Sequence, residues 1–153
     1  MTLASDVITR LRGSTLATAE SCTGGGIGQA LTAVSGASAV YKGGIISYCN
    51  EIKHSLLEVS SELLESKGAV SAPVAEAMAL GARKALDASI AVSVTGLAGP
   101  GGDEFGNPVG TVFIGYSDER VTFARHFLFV GTREEIRFQA VNEALKLILD
   151  QNP

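Results

Sequence analysis

A chain of 153 residues with 12 basic and 16 acidic side chains, net charge −4, has the length of one domain, and its 46% hydrophobic residues suffice for a full core. Its 18% charged residues are too few for a long disordered segment, and no Lys/Arg cluster exceeds two residues, which excludes a basic nucleic-acid surface. Glu76, Arg83, Lys84 and Asp87 interrupt the longest apolar stretch, so no membrane span is expected.

Leu3–Arg12 places Val7, Ile8 and Leu11 at helical spacing, with Gly13 behind it as a stop. This opening segment has no basic region followed by an apolar one, so it does not read as a secretory signal, and the expected address is the cytoplasm. Ser14–Glu20 reads as a strand that runs into a glycine-rich turn and a helix reaching about Val34. Gly43–Cys49 reads as a second strand. Asn50 is the expected cap of a short helix to about Glu58, followed by another over Ser61–Lys67 that Gly68 ends. Ser71, with Pro73 in the first turn, starts a helix whose face is Val74, Met78, Gly81 and Ala85, ending near Asp87.

Ser89–Thr95 is apolar and β-branched, which suits a strand buried on both faces. Gly96–Pro108 holds five glycines and two prolines and is expected to be a long loop, a type often functional or mobile. Val109–Tyr116 and Arg120–Phe129 form an expected hairpin turning at Ser117–Glu119. Thr132 and Glu135 fit a capping box for a last helix carrying Ile136, Ala140, Ala144 and Ile148. Five strands with helices between them predict a mixed sheet covered on both faces. No repeat or linker divides the chain, so 1–153 reads as a single domain.

The turn Ala19-Glu20-Ser21-Cys22-Thr23-Gly24-Gly25 carries the chemistry. A strand entering a helix through glycines aims backbone N–H groups at one point, where an anion or oxyanion can sit. Ser21 and Thr23 add hydroxyls; the plainer alternative is that they cap the helix while the glycines give room for packing. No Gly-Lys-Ser/Thr follows at the offset of a P-loop, and residues 19 and 23 do not fit Gly-x-Ser-x-Gly. A serine nucleophile needs a base. His126 lies in a hairpin strand and reads as structural, which leaves Lys53 a sharper candidate than its neighbour His54. With Asn50 as cap, Lys53 falls at the third helical position, where the helix dipole opposes its charge by only about 0.3–1 kcal/mol. Lowering a lysine from about 10.4 to about 7 takes about 4–5 kcal/mol, so burial must supply most of it. Without burial, Lys53 is a solvated surface residue. Cys22 is the rival nucleophile, more at home as a small buried filler. Two cysteines, Cys22 and Cys49, make no disulfide framework, and Asp103 and Glu104 read as a solvated loop tip rather than a metal site.

Five motifs occur in order: Ala19–Gly25, Ser47-Tyr48-Cys49-Asn50-Glu51-Ile52-Lys53, Gly68-Ala69-Val70-Ser71, Thr95–Gly102 and Pro108–Val112. Together, over about Leu3 to Leu149, they resemble the C-terminal domain family of the competence/damage-inducible protein CinA. The resemblance implies a three-layer α/β/α sandwich on a mixed, mostly parallel five-stranded sheet. It also implies a nicotinamide-nucleotide amidase that hydrolyses nicotinamide mononucleotide to nicotinic acid mononucleotide and ammonia, without metal or cofactor. The family's long form carries a further N-terminal domain, so the resemblance leads to an expectation of the stand-alone form. By the same resemblance Ser21 is the nucleophile, Lys53 the base, Tyr48 a residue that orients them, and Arg137 a site arginine for phosphate or developing charge. Backbone N–H groups over Thr23, Gly24 and Gly25 are the expected oxyanion donors, and Gly96, Ala98 and Gly99 are expected to shape the nucleotide site. The expected partners are a small-molecule nucleotide and, from apolar composition and family habit, further copies of the chain; nucleic acid and membrane are not. Two rival readings are a binding module that only holds a phosphorylated ligand and a serine–lysine amidase for some other amide.

Overall fold

A computed structural model describes all residues, Met1–Pro153. In chain order the elements are α1 (Leu3–Arg10), β1 (Leu16–Glu20), α2 (Gly26–Thr32), a 3-10 turn at Ala37–Ala39, β2 (Tyr41–Ile46), α3 (Asn50–Leu57), α4 (Ser61–Lys67), α5 (Ala72–Ala85), β3 (Ile90–Gly96), β4 (Thr111–Ser117), β5 (Thr122–Leu128) and α6 (Arg133–Gln151). The sheet order is β2-β1-β3-β4-β5. β1 pairs parallel with β2 and β3, while β4 runs antiparallel to both β3 and β5. Only β4 is therefore reversed, and the expected mixed, mostly parallel five-stranded sheet is what forms.

Residue size assigns the two faces. From β1, Leu16 joins a large core cluster with Val92, Val94, Ile114 and Tyr116 and with the apolar faces of α1, α2 and α6. Ala17 and Ala19 point the other way, into a smaller cluster with Val74, Met78 and Ala82 of α5 and Leu57 of α3. Alternation along a strand sends neighbouring side chains to opposite faces, so β1 and β3 serve both cores. Small residues on the second face let α5 lie close to the sheet: Ser93 Oγ donates to Ala75 O at 2.6 Å, and a Cβ at Gly115 would run into the same carbonyl. The outcome is the expected three-layer sandwich.

Boundaries differ from expectation by a few residues. β2 starts at Tyr41 and ends at Ile46, because Ser47–Cys49 turn away to start α3. The cap of α3 is Cys49, which makes no side-chain capping bond; Asn50 is the first helical residue, and Lys53 is therefore the fourth rather than the third. Ser71 does precede α5, but its hydroxyl donates back to Gly68 O instead of capping the helix. α6 keeps its full capping box, Thr132 with Glu135. No helix is long and apolar enough to cross a membrane.

Candidate active site

β1 ends beside β2 and β3, and Ser21 follows directly. Its N–H donates to Val94 O at 2.9 Å, and Ser47 N–H donates to Glu20 O at 2.8 Å. Position 21 thus lies at the carboxyl ends of three parallel strands. From there α2 leaves β1 toward one face and α3 leaves β2 toward the other, the divergence that opens a crevice in α/β sheets.

Glu20, 2% exposed, fixes the turn from beneath. Its carboxylate accepts from Thr23 Oγ1 at 2.7 Å, from Ile27 N at 2.8 Å and from Gly28 N at 3.0 Å. A side chain within the protein thereby occupies the first free N–H groups of α2, where an external anion was expected. Gly24 N–H is also committed, to Ser21 O at 3.1 Å. The N–H groups of Cys22, Thr23 and Gly25 have no acceptor. Gly24 (φ +59°) and Gly25 (φ +102°) take the left-handed backbone that the turn requires. Their Cα atoms face protein, Arg137 Nη2 in one case and Ile46 in the other.

Lys53 is 1% exposed. Its Nζ donates to Ser21 Oγ at 3.0 Å and to Ser47 O at 2.8 Å. Burial pushes the ammonium below its ordinary value, with the nearby Cys49 and Cys22 acting weakly in the opposite sense. An amine reluctant to hold a proton, within hydrogen-bond reach of a serine hydroxyl, has the geometry of a general base on a nucleophile. Burial pushes the Cys22 thiol up to about 11, leaving little thiolate at neutral pH. His54 is committed to its own neighbourhood, with Nδ1 2.8 Å from Val59 O, and His126 stacks on Phe113 in the hairpin.

Ser21 and Lys53 open into a cavity of about 290 Å³. Of the expected site residues it is lined by Ser21, Lys53, Tyr48, Gly96, Ala98 and Gly99. Thr23, Gly24, Gly25 and Arg137 do not line it. Thr23 points at Glu20, and Arg137 braces the turn from outside: Nε donates to Cys22 O at 2.9 Å and Nη2 to Thr23 O at 3.2 Å. In this arrangement the four residues form and brace the turn that carries Ser21. Tyr48, 64% exposed, stands at the mouth, and its hydroxyl accepts from Arg133 Nη2 at 3.3 Å; it makes no bond to Ser21 or Lys53.

Sequence reading missed Arg133, Asn50 and Thr95 as lining residues. Arg133 was accessible in principle, since a capping box starting at Thr132 places it on the first turn, one helical turn before Arg137. Thr95 Oγ1 donates to Ala69 O at 2.8 Å and Asn107 Nδ2 to Val70 O at 3.2 Å, so the segment after α4 is tied to the loop that follows β3. That loop is tethered along its length: Asp103 accepts from Phe105 N and Asn107 N, and Arg133 Nη1 donates to Gly99 O at 2.6 Å. Asp103 serves the loop itself, a specific form of the expected solvated tip.

The family model of the CinA C-terminal domain matches residues 1–151. A CinA-like protein of Synechococcus sp. (strain RCC307) is 51% identical over 150 residues, covering 95% of this chain and 36% of that protein. One from Desulfotalea psychrophila is 47% identical over 137 residues, with 90% and 33% covered. The chain thus spans about a third of the length of the curated relatives it matches. Among solved structures, the competence/damage inducible protein CihA of Agrobacterium tumefaciens superposes with a TM-score of 0.95 at 39% identity, covering 99% of this chain and 94% of that one. A competence-damaged protein (CinA) superfamily protein of Escherichia coli gives 0.95 at 36%, with 97% and 88% covered.

Proposed function

The chain belongs to the CinA C-terminal domain family, and from that premise we propose that it is an amidohydrolase converting nicotinamide mononucleotide to nicotinic acid mononucleotide and ammonia. The observation that carries this reading is the buried Lys53 amine 3.0 Å from Ser21 Oγ in the floor of a cavity.

In its neutral form Lys53 Nζ offers a lone pair, and the Ser21 hydroxyl donates to it. Ser21 Oγ attacks the carboxamide carbon while Lys53 takes the proton. The free N–H groups of Cys22, Thr23 and Gly25 are the donors available to the oxyanion, each typically worth about 2.7–4 kcal/mol. Within the expected stretch of Thr23 to Gly25, Gly24 N–H is committed to Ser21 O, while Thr23 and Gly25 keep free N–H groups. Lys53 returns its proton to the departing nitrogen, the C–N bond breaks and ammonia leaves. Water then attacks the acyl-enzyme with Lys53 again as base, releasing the carboxylate product and restoring Ser21. Ser47 O, accepting from Nζ, holds the amine on the serine throughout.

Ammonia release from nicotinamide mononucleotide tests the reading, with Ser21→Ala as the control. Wild-type turnover with a loss of about 10³-fold or more in the variant supports it. Tight binding of the mononucleotide without ammonia release would replace it with a ligand-holding module, and release from amides regardless of the ribose phosphate would point to a broader amidase.

A further inference from the structure

We infer that Arg133 recognises an anionic group on the substrate, a phosphate monoester, and that it rather than Arg137 makes the site selective for phosphorylated amides. The identity of the anion rests on the amidohydrolase reading above; the need for one rests on the charge distribution of the cavity.

Arg133 is the first residue of α6 and reaches the cavity wall. Its guanidinium is fixed by two neutral acceptors, Gly99 O at 2.6 Å and Tyr48 Oη at 3.3 Å. None of the three ion pairs in the chain includes it. Two of the five guanidinium N–H groups are thus used for orientation, and its charge has no carboxylate partner. No acidic residue lines the cavity, and Lys53, its other cationic side chain, is inclined by burial toward the neutral form. Glu134 and Glu135, the next residues on the helix, line a separate recess with Phe138.

The opposite end of the site has the opposite sign. A second recess shares Asn50, Ala69, Val70 and Leu97 with the cavity and adds Asp103 and Glu104. An anion entering the cavity is therefore disfavoured toward the loop tip and favoured toward Arg133, while the amide must meet Ser21. A substrate with a neutral or cationic amide-bearing ring and an anion some distance from it fits this polarity. A planar guanidinium matches a phosphate through paired hydrogen bonds, which a lysine in its place would not reproduce. Arg137 spends as many N–H groups, its Nε and Nη2 on the carbonyls of Cys22 and Thr23, but it does not line the cavity.

The test measures ammonia release from nicotinamide mononucleotide and from nicotinamide riboside, which lacks the phosphate, in wild type, Arg133→Gln and Arg133→Lys. Arg133→Gln should raise KM for the mononucleotide about tenfold to a hundredfold with little change in kcat, leave kcat/KM for the riboside nearly unchanged, and be partly rescued by lysine. Equal losses on both substrates would make Arg133 a brace for Gly99 and Tyr48 and overturn the assignment, as would no loss on either. If wild type releases ammonia from neither amide, the amidohydrolase reading fails separately. Calorimetric binding of nicotinic acid mononucleotide against nicotinic acid riboside then decides: a phosphate-dependent gain that disappears in Arg133→Gln keeps the anion site, and equal binding removes it.

Discussion

Lys53 holds an amine between Ser21 Oγ and Ser47 O with almost no access to water. Its folded proton affinity lies below the ordinary value of 10.5, chiefly through burial. Above about 10.5 neither the folded nor the unfolded chain protonates it, and its burial carries no charge penalty. As pH falls through that value the unfolded chain takes up the proton first, so the folded state loses relative stability until pH is below the lowered folded value. Replacing the group with Lys53→Met should therefore give a melting temperature that gains on wild type as pH falls from 10.5 toward neutrality, in paired melts at several pH values. In the same reading, kcat/KM of wild type should rise with pH along a limb centred below 10.5, and Lys53→Met should lose both the limb and about 10²–10⁴-fold in rate. The glycines after Ser21 made the turn legible in the sequence. The burial of Lys53 was not legible, because residue 53 sits among charged and polar neighbours in a short helix. Its environment is supplied by strand ends and a helix from elsewhere in the chain.

At the scale of elements, the site depends on how closely α5 presses α3 toward the sheet. Gly81 makes that approach: a Cβ there would lie 2.8 Å from Leu57 C and run into the Leu57 carbonyl oxygen. Gly81→Ala should cost about 1–3 kcal/mol as overpacking. Because α3 carries Lys53, it should also lower kcat by moving Nζ away from Ser21, with melts and steady-state kinetics separating the two effects. If stability falls while kcat is unchanged, α3 has yielded as a unit without disturbing the base. The sequence placed most of these elements within a few residues, because their apolar periods and caps are local signals. It misplaced the cap of α3, where Asn50 looks like a cap by type while Cys49 holds the extended backbone of one. The family resemblance pointed to Arg137 and left Arg133 unremarked. The two lie four residues apart on one helix, and which of them faces the cavity depends on where α6 meets the turn after β1, a tertiary fact.

In the whole molecule, two cores of unequal size meet at one sheet, and the cavity opens where the strand ends diverge. Its walls come from five separated stretches: the turn after β1, the start of α3, the segment between α4 and α5, the end of β3 with the loop after it, and the first turn of α6. Such a site is assembled only when the sheet and both helical layers are in place, so a ligand held there stabilises the entire fold by mass action. Ser21→Ala, with the base and Arg133 intact, should bind the mononucleotide without consuming it. At a ligand concentration 100 times Kd the gain is about 2.7 kcal/mol, equivalent to about 5–10 °C in Tm for a domain of this size. Adding Arg133→Gln to that variant should remove most of the rise by weakening phosphate binding. Adding a substitution at Arg137 should lower the melting temperature of the free protein first, because that side chain supports the turn carbonyls whether or not ligand is bound. Thermal melts of these double variants, with and without ligand, therefore separate an arginine that binds substrate from one that holds the fold. A shift that survives Arg133→Gln intact would place the ligand outside this cavity.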